Sequence, residues 1–233
     1  MGTPGSPLAS KFTQMVVGEH SGVPLPQRVG RAARDLAGAD GAAITVENST
    51  PNRVTLCATD RLADHLEDIQ DVLGEGPGLD AYNFGQPVQT GLGDGRAAHR
   101  WPQFVPAADE IVGRRSRIWA FPLRSAAQVI GTVTFYRLTD EALAGPAGDI
   151  ESLAGAIAAT LLTDPQAFSE LPNTSGWSSR AVVHQATGIL IAKLGVGASE
   201  ALALLRSYAF FASAELRDVA TEVVEHKLDL TGG

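Results

Sequence analysis

The stretch from Ser178 to Leu230 constrains this chain more than any other. It holds three apolar stripes at helical spacing, each in a segment too short to be a stable helix alone in water. In the first, from about Ser178 to Leu194, Val182, Ala186, Ile189 and Lys193 share a face, with Val183, Leu190 and Leu194 beside it. Ser178 or Ser179 is a candidate N-cap, and Trp177 with Val182 a candidate hydrophobic staple. Gly195-Val196-Gly197 ends the segment. The second, Ala198 to Phe211, lines up Ala201, Leu202, Leu205, Tyr208 and Ala209. The third starts near Ala214 and places Leu216, Val219, Ala220, Val223, Val224 and Leu228 at i, i+3, i+4, i+7, i+8 spacing. Segments like these are stable only when packed on one another, so the expectation is a compact three-helix unit.

Composition bounds the rest. With 233 residues, 44% of them hydrophobic and 19% charged, the chain can build one large or two small globular domains. A net charge of −8 argues against general binding to nucleic acid or anionic membranes. The tail itself is near neutral, with five Lys/Arg against six Asp/Glu between Ser178 and Leu230. Cys57 is the one cysteine, which excludes a disulfide framework or a cysteine zinc cluster within the chain and suits a reducing cytoplasm. No basic start followed by an apolar run marks a signal peptide, and no stretch approaches the ~18 apolar residues of a membrane span. A cytoplasmic location is expected.

Upstream of the tail, Met1 to Pro26 is rich in Gly, Ser and Pro and reads as a loose arm, with a turn of helix around Phe12 to Val17. Arg28 to Ala37 reads as a helix. Ala42 to Glu47 and Arg53 to Ala58 read as a hairpin of short strands, followed by a helix from Asp60 to Leu73. Gly74-Glu75-Gly76-Pro77-Gly78 has neither the Lys-Ser/Thr of a P-loop nor a dinucleotide fingerprint, so it reads as structural. Pro87 to Thr90 is a short strand, Gly91 to Arg100 a glycine-rich loop, and Trp101 opens another helix. Arg114, Arg115 and Arg117 form a basic cluster. Ile118–Arg124 and Val129–Arg137 carry the strongest strand signal, with Pro122 marking an edge or a bulge. Gly148 to Leu162 is a helix. The order of elements argues an α+β domain with a mainly antiparallel sheet flanked by helices.

Two resemblances sharpen this outline. Gln185-Ala-Thr-Gly188-Ile-Leu190, then Glu200-Ala201 with Leu205-Arg206 and Ala209, then Leu216 with Val219-Ala220 and Val223-Val224, resemble the ANTAR family across all three segments. That resemblance implies an all-α three-helix module without chemistry of its own. Such modules bind paired hairpins in nascent messenger RNA and so prevent a terminator from forming. The implied RNA contacts are exposed basic and polar side chains around the first two helices: Arg180, Gln185, Thr187, Gly188, Lys193 and Arg206. Thr187 stands where the family often has Lys. Leu73-Gly-Glu-Gly-Pro-Gly-Leu-Asp-Ala-Tyr82, Trp101-Pro-Gln-Phe104, Ala120-Phe-Pro-Leu123 and Ile130-Gly-Thr-Val133 resemble GAF domains, over about Val23 to Thr163. That implies a small-molecule or redox sensor with a pocket between the sheet and its covering loops. Tyr82, His99, Trp101, Phe104 and Trp119 are the candidate lining residues. Gly78 stands where many relatives have Cys, so thiol chemistry is absent there.

The expected organisation is a flexible arm (1–22), a GAF-like sensor (23–163), a linker (164–177) and an ANTAR-like domain (178–230). The expected function is a cytoplasmic regulator, not an enzyme, that binds RNA hairpins through its tail and controls termination in response to a signal. A homodimer is expected, matching paired sites with paired tails. No cofactor and no metal site is expected: His99 has no second ligand at the right spacing, and one cysteine cannot supply a thiol pair. The alternative is a non-enzymatic ligand-sensing module whose tail docks on a protein, an idea that Phe210-Phe211 supports because one helix face can hardly bury both.

Overall fold

The computed structural model describes residues 7–18, 22–47, 53–163, 176–196, 198–212, 214 and 216–228. It divides into two compact units, Met1–Leu171 and Pro172–Gly233.

The N-terminal unit is built on one five-stranded antiparallel sheet. Its strands are β1 (Gly41–Glu47), β2 (Arg53–Ala58), β3 (Val88–Gly91), β4 (Arg117–Ser125) and β5 (Gln128–Arg137), in the order β2-β1-β5-β4-β3. Strand alternation splits the apolar residues between two layers. Trp119, Phe121 and Leu123 of β4 and Val133 and Phe135 of β5 face α1 (Pro7–Gly18), α2 (Leu25–Ala37) and α7 (Ala147–Thr163). Ile118 and Ala120 of β4 and Tyr136 of β5 face α3 (Arg61–Leu73), α4 (Pro77–Phe84), α5 (Gly95–Arg100) and α6 (Phe104–Val112). This is the expected α+β arrangement, with helices on both faces of an antiparallel sheet.

Two local expectations change. Residues 7–18, read as part of a loose arm, form a regular helix, α1, and Phe12 and Val16 lie one turn apart in the core. The Arg28 guanidinium ties down the end of α1 by donating to the Val16 carbonyl at 2.8 Å. Glycine, serine and proline around this segment hid its one apolar stripe. The loop read over 91–100 contains α5, which Asp94 caps by accepting from the Arg96 N–H at 2.9 Å. At Pro122 the bulge alternative holds and the edge does not: β4 lies inside the sheet, its register shifts at Leu123/Arg124, and Pro122 lies beyond the last residue that β3 pairs, so its missing N–H breaks no ladder bond to β3. Gly131 is required where β5 crosses β1, since a Cβ there would collide with the Thr45 carbonyl.

The C-terminal unit consists of α8 (Gly176–Leu194), α9 (Ala198–Ala212) and α10 (Leu216–Val224). α8 begins ahead of Ser178, so Ser178 lies within the helix rather than at its cap; the side chains of 176–181 are outside the described set, and with them the proposed staple. Ala186 and Leu190 of α8, Ala201, Leu205 and Ala209 of α9, and Val219, Ala220 and Val223 of α10 form one core. α8 ends at Gly195, whose positive φ of 68° and N–H bond to the Ile191 carbonyl make a left-handed cap.

Burial of Phe12 separates a docked helix from an arm. In urea unfolding Phe12→Ala is expected to cost about 3–5 kcal/mol. Val17→Ala, at a position 76% exposed, is expected to stay within about 0.5 kcal/mol. Equal, small effects would restore the arm.

Candidate functional site

The C-terminal unit presents a polar surface on α8. Gln185, Gly188 and Ala192 follow i, i+3, i+7 spacing and are exposed, with Lys193 exposed next to them. Thr187 is different. It is only 8% exposed, and its hydroxyl donates to the Val183 carbonyl at 2.7 Å. Helix phase turns position 187 toward the core, and its hydroxyl is engaged within the helix. On α9, Arg206 lies half-buried beside Leu205, and its Nε has no hydrogen-bond partner among the described residues. Burial lowers the pKa of its guanidinium from the ordinary value. The side chain of Arg180 lies outside the described set. The cations of the third segment are occupied locally: Arg217 lies 3.6 Å from Asp218, and Lys227 lies 2.7 Å from Glu225. Of the six candidate contacts, Gln185, Gly188 and Lys193 share one exposed stretch of α8.

The five candidate lining residues of the N-terminal unit do not converge. Trp101 and Phe104 are buried together, edge to face at 6.4 Å between ring centres. Trp101 Nε1–H donates to Asp80 Oδ2 at 3.1 Å, and Arg100 both stacks on Trp101 and pairs with Asp80 at 2.6 Å. A distant carboxylate caps α6: Glu75 Oε1 accepts from the N–H groups of Gln103 and Phe104, at 2.5 and 2.7 Å. Trp119 points to the other face of the sheet, among α1, α2 and α7. His99 is exposed and Tyr82 half-buried. The expectation weighed residue type and left out strand parity, which sends positions 118 and 119 to opposite layers.

Beside the apolar residues of the layer between the sheet and α3 lies a buried charged network. Arg53 on β2 lies 2.7 Å from Asp71 and 3.3 Å from Glu67, which is fully buried. Glu67 also accepts from Thr45 Oγ1 and Gln70 Nε2, both at 3.0 Å. Gln70 Oε1 in turn accepts from the Gly78 N–H at 2.6 Å. A Cβ on Gly78 would come within 3.0 Å of Gln70 Oε1 and 3.2 Å of Arg53 Nη2. The bare backbone at Gly78 thus lets this network close without displacing Gln70 or Arg53. Sequence reading missed Arg53, Glu67 and Gln70, because charged residues on an amphipathic helix and a hairpin strand read as solvated. The glycines at 76 and 78 were the available signal of close approach.

Cys57 is buried against Gly30, and burial pushes its thiol pKa up to about 12. Such a thiol is a core residue and a poor nucleophile. Among the described residues no group of three His, Cys, Asp or Glu side chains could hold a metal, and no helix is long and apolar enough to cross a membrane.

Comparison with known proteins bears on these two units separately. Residues 177–224, spanning α8 to α10, match the family model of the ANTAR domain. The chain carries an ANTAR domain at its C-terminus. No curated protein matches the chain. Among solved structures, the chain is similar to a GAF domain/HD domain protein from Geobacter sulfurreducens, at 16% identity over 69% of this chain and 97% of that one, with a TM-score of 0.44. It is similar to the GAF domain of a phosphoenolpyruvate-protein phosphotransferase from Coxiella burnetii, at 14% identity over 67% and 91%, with a TM-score of 0.46. A further likeness is to SdiA in complex with octanoyl-rac-glycerol, at 12% identity over the whole of both chains, with a TM-score of 0.49. At this level of likeness nothing follows about ligand or activity.

Two outcomes are expected from this geometry. Glu67→Ala leaves the Arg53 charge buried with a reduced partner set and should destabilise by about 3–5 kcal/mol in denaturant unfolding; a change below about 1 kcal/mol would mean the network is hydrated. Cys57 should stay unlabelled by a disulfide reagent at pH 8 until the protein unfolds, its thiolate fraction being on the order of one in ten thousand. Rapid native labelling would contradict its burial.

Proposed function

We propose that this protein is a non-catalytic cytoplasmic regulator whose C-terminal unit grips paired RNA hairpins in nascent transcripts and so controls termination. Its N-terminal unit is read as the sensor that sets this activity, and the working form as a homodimer. The observation that carries the reading is the ANTAR match over 177–224, on a unit whose first helix exposes Gln185, Gly188 and Lys193. Gly188 leaves open space on that surface, with nothing within 4 Å of where a Cβ would stand. An RNA backbone can approach such a spot closely. Lys193 supplies a charge for phosphate, and Gln185 can hydrogen-bond base edges or riboses. Few phosphate contacts mean modest affinity per tail, and a dimer holding two hairpins compensates through effective concentration.

The test is a gel shift of the full chain with an RNA carrying two adjacent stem-loops, over a range of salt. Lys193→Ala and Arg206→Ala should each weaken binding and each lower the salt slope by about one. Gly188→Leu should block approach while leaving the helical signal unchanged. Binding untouched by all three changes would remove this face from consideration.

One observation favours a second reading, docking of the tail on a protein. Leu204, Tyr208 and Phe211 lie at i, i+4, i+7 on α9 and are 38%, 38% and 85% exposed. Capture of a protein partner by the full chain that Leu204→Ser and Tyr208→Ser both abolish, with RNA binding unchanged, would favour this reading.

A further inference from the structure

Three arginines of the N-terminal unit have no role in the fold described above. The turn between α6 and β4 carries Arg114 and Arg115, and β4 opens on Arg117. The β3–α5 loop lies against this turn. Gly91 pairs with Arg117 across the sheet, the Leu92 N–H donates to the Ser116 carbonyl at 3.0 Å, and a Cβ on Gly93 would lie 3.2 Å from the Arg114 carbonyl oxygen. Loop and turn together border an open hollow of about 460 Å³. None of the three guanidiniums makes an ion pair with the described residues. The contrast with their neighbour is direct: Arg137, opposite Arg117 on β5, is held by Glu141 at 2.6 Å and by the Ala142 carbonyl at 2.7 Å.

Three cations with no carboxylate partner among the described residues converge on one hollow, in a chain of net charge −8. Guanidinium forks match phosphate oxygens in pairs. The hollow's volume is that of a small-molecule site. Its lining holds no aromatic ring on which a base could stack, and Asp94 and Asp140 border it, which disfavours a continuous nucleic-acid strand. Asp94 is committed to capping α5, whereas the Asp140 carboxylate and the Gln89 amide offer acceptors for hydroxyl groups. We propose that this hollow binds a phosphorylated, hydroxyl-bearing small molecule of the sugar-phosphate class, with Arg114, Arg115 and Arg117 on the phosphate and Asp140 on a hydroxyl. The site goes beyond the RNA-binding reading and its readout involves no RNA, so either can fail alone.

The experiment is titration calorimetry of the full chain with ribose 5-phosphate, inorganic phosphate and ribose. Ribose 5-phosphate binds, and ribose does not. Arg115→Ala weakens binding by about tenfold or more, as expected for a charged hydrogen bond, and the Arg114→Ala/Arg117→Ala double variant abolishes it. Lys11→Ala, on α1, changes nothing. Asp140→Asn narrows the preference for ribose 5-phosphate over inorganic phosphate. Each variant keeps the melting temperature of the unliganded wild type. Absence of binding at millimolar ribose 5-phosphate, or binding that survives the double variant, would overturn the proposal. So would tighter binding of a ribo-oligonucleotide that the double variant removes, which would make the hollow a nucleic-acid contact.

Discussion

Contact between α8, α9 and α10 depends on small side chains. Ala186, Ala201 and Ala220 are fully buried, one on each helix, and Ala209 nearly so. Helices of this length owe their stability to packing rather than to propensity, and alanine lets their backbones come close enough for Leu190, Leu205 and Val223 to fill the remaining space. That packing fixes the helix phases. With Ala186 and Leu190 turned inward, Thr187 is drawn in beside them and closes its hydroxyl on the helix's own carbonyl, while Gln185 and Gly188 are turned out. The character of the outer surface is thus a consequence of where the alanines fall.

The N-terminal unit obeys a different constraint, the parity of its central strands. β4 and β5 feed aromatic and aliphatic side chains to two separate cores, so the sheet acts as a partition between the α1/α2/α7 layer and the α3–α6 layer. Within the second layer, the Arg53–Glu67–Gln70 network occupies the region beside α3 and α4. A buried ion pair contributes little net stability once desolvation is counted, but removing either partner is costly. Its presence ties β2, β5 and the start of α4 into one assembly through Thr132 and Gly78.

Much of this was legible in the sequence because it rests on periodicity. The three stripes of the tail and the β4–β5 pair emerged at nearly their observed bounds, since apolar spacing reports burial directly. What remained hidden depends on contacts between residues distant in the chain. α1 was masked because two core residues, Phe12 and Val16, carry its docking while the flanking prolines and glycines suggest a loop. Glu67 and Arg53 looked like surface charges until the fold brought them together. The scatter of Tyr82, His99, Trp101, Phe104 and Trp119 has the same origin, since aromatic character says nothing about which face of a sheet receives the ring. On α8, helix phase was predictable, and Thr187 could have been assigned to the interior from its position beside Ala186.

The central claim is that the ANTAR unit holds folded RNA through the exposed side of its first two helices. Sequencing the RNAs that copurify with the full chain, wild type against the Lys193→Ala/Arg206→Ala double variant, tests it most directly. The account predicts wild-type enrichment of leaders in which two stem-loops precede a terminator, lost in the double variant. Recovery of the same RNA profile from both proteins, or none above background from either, would contradict it.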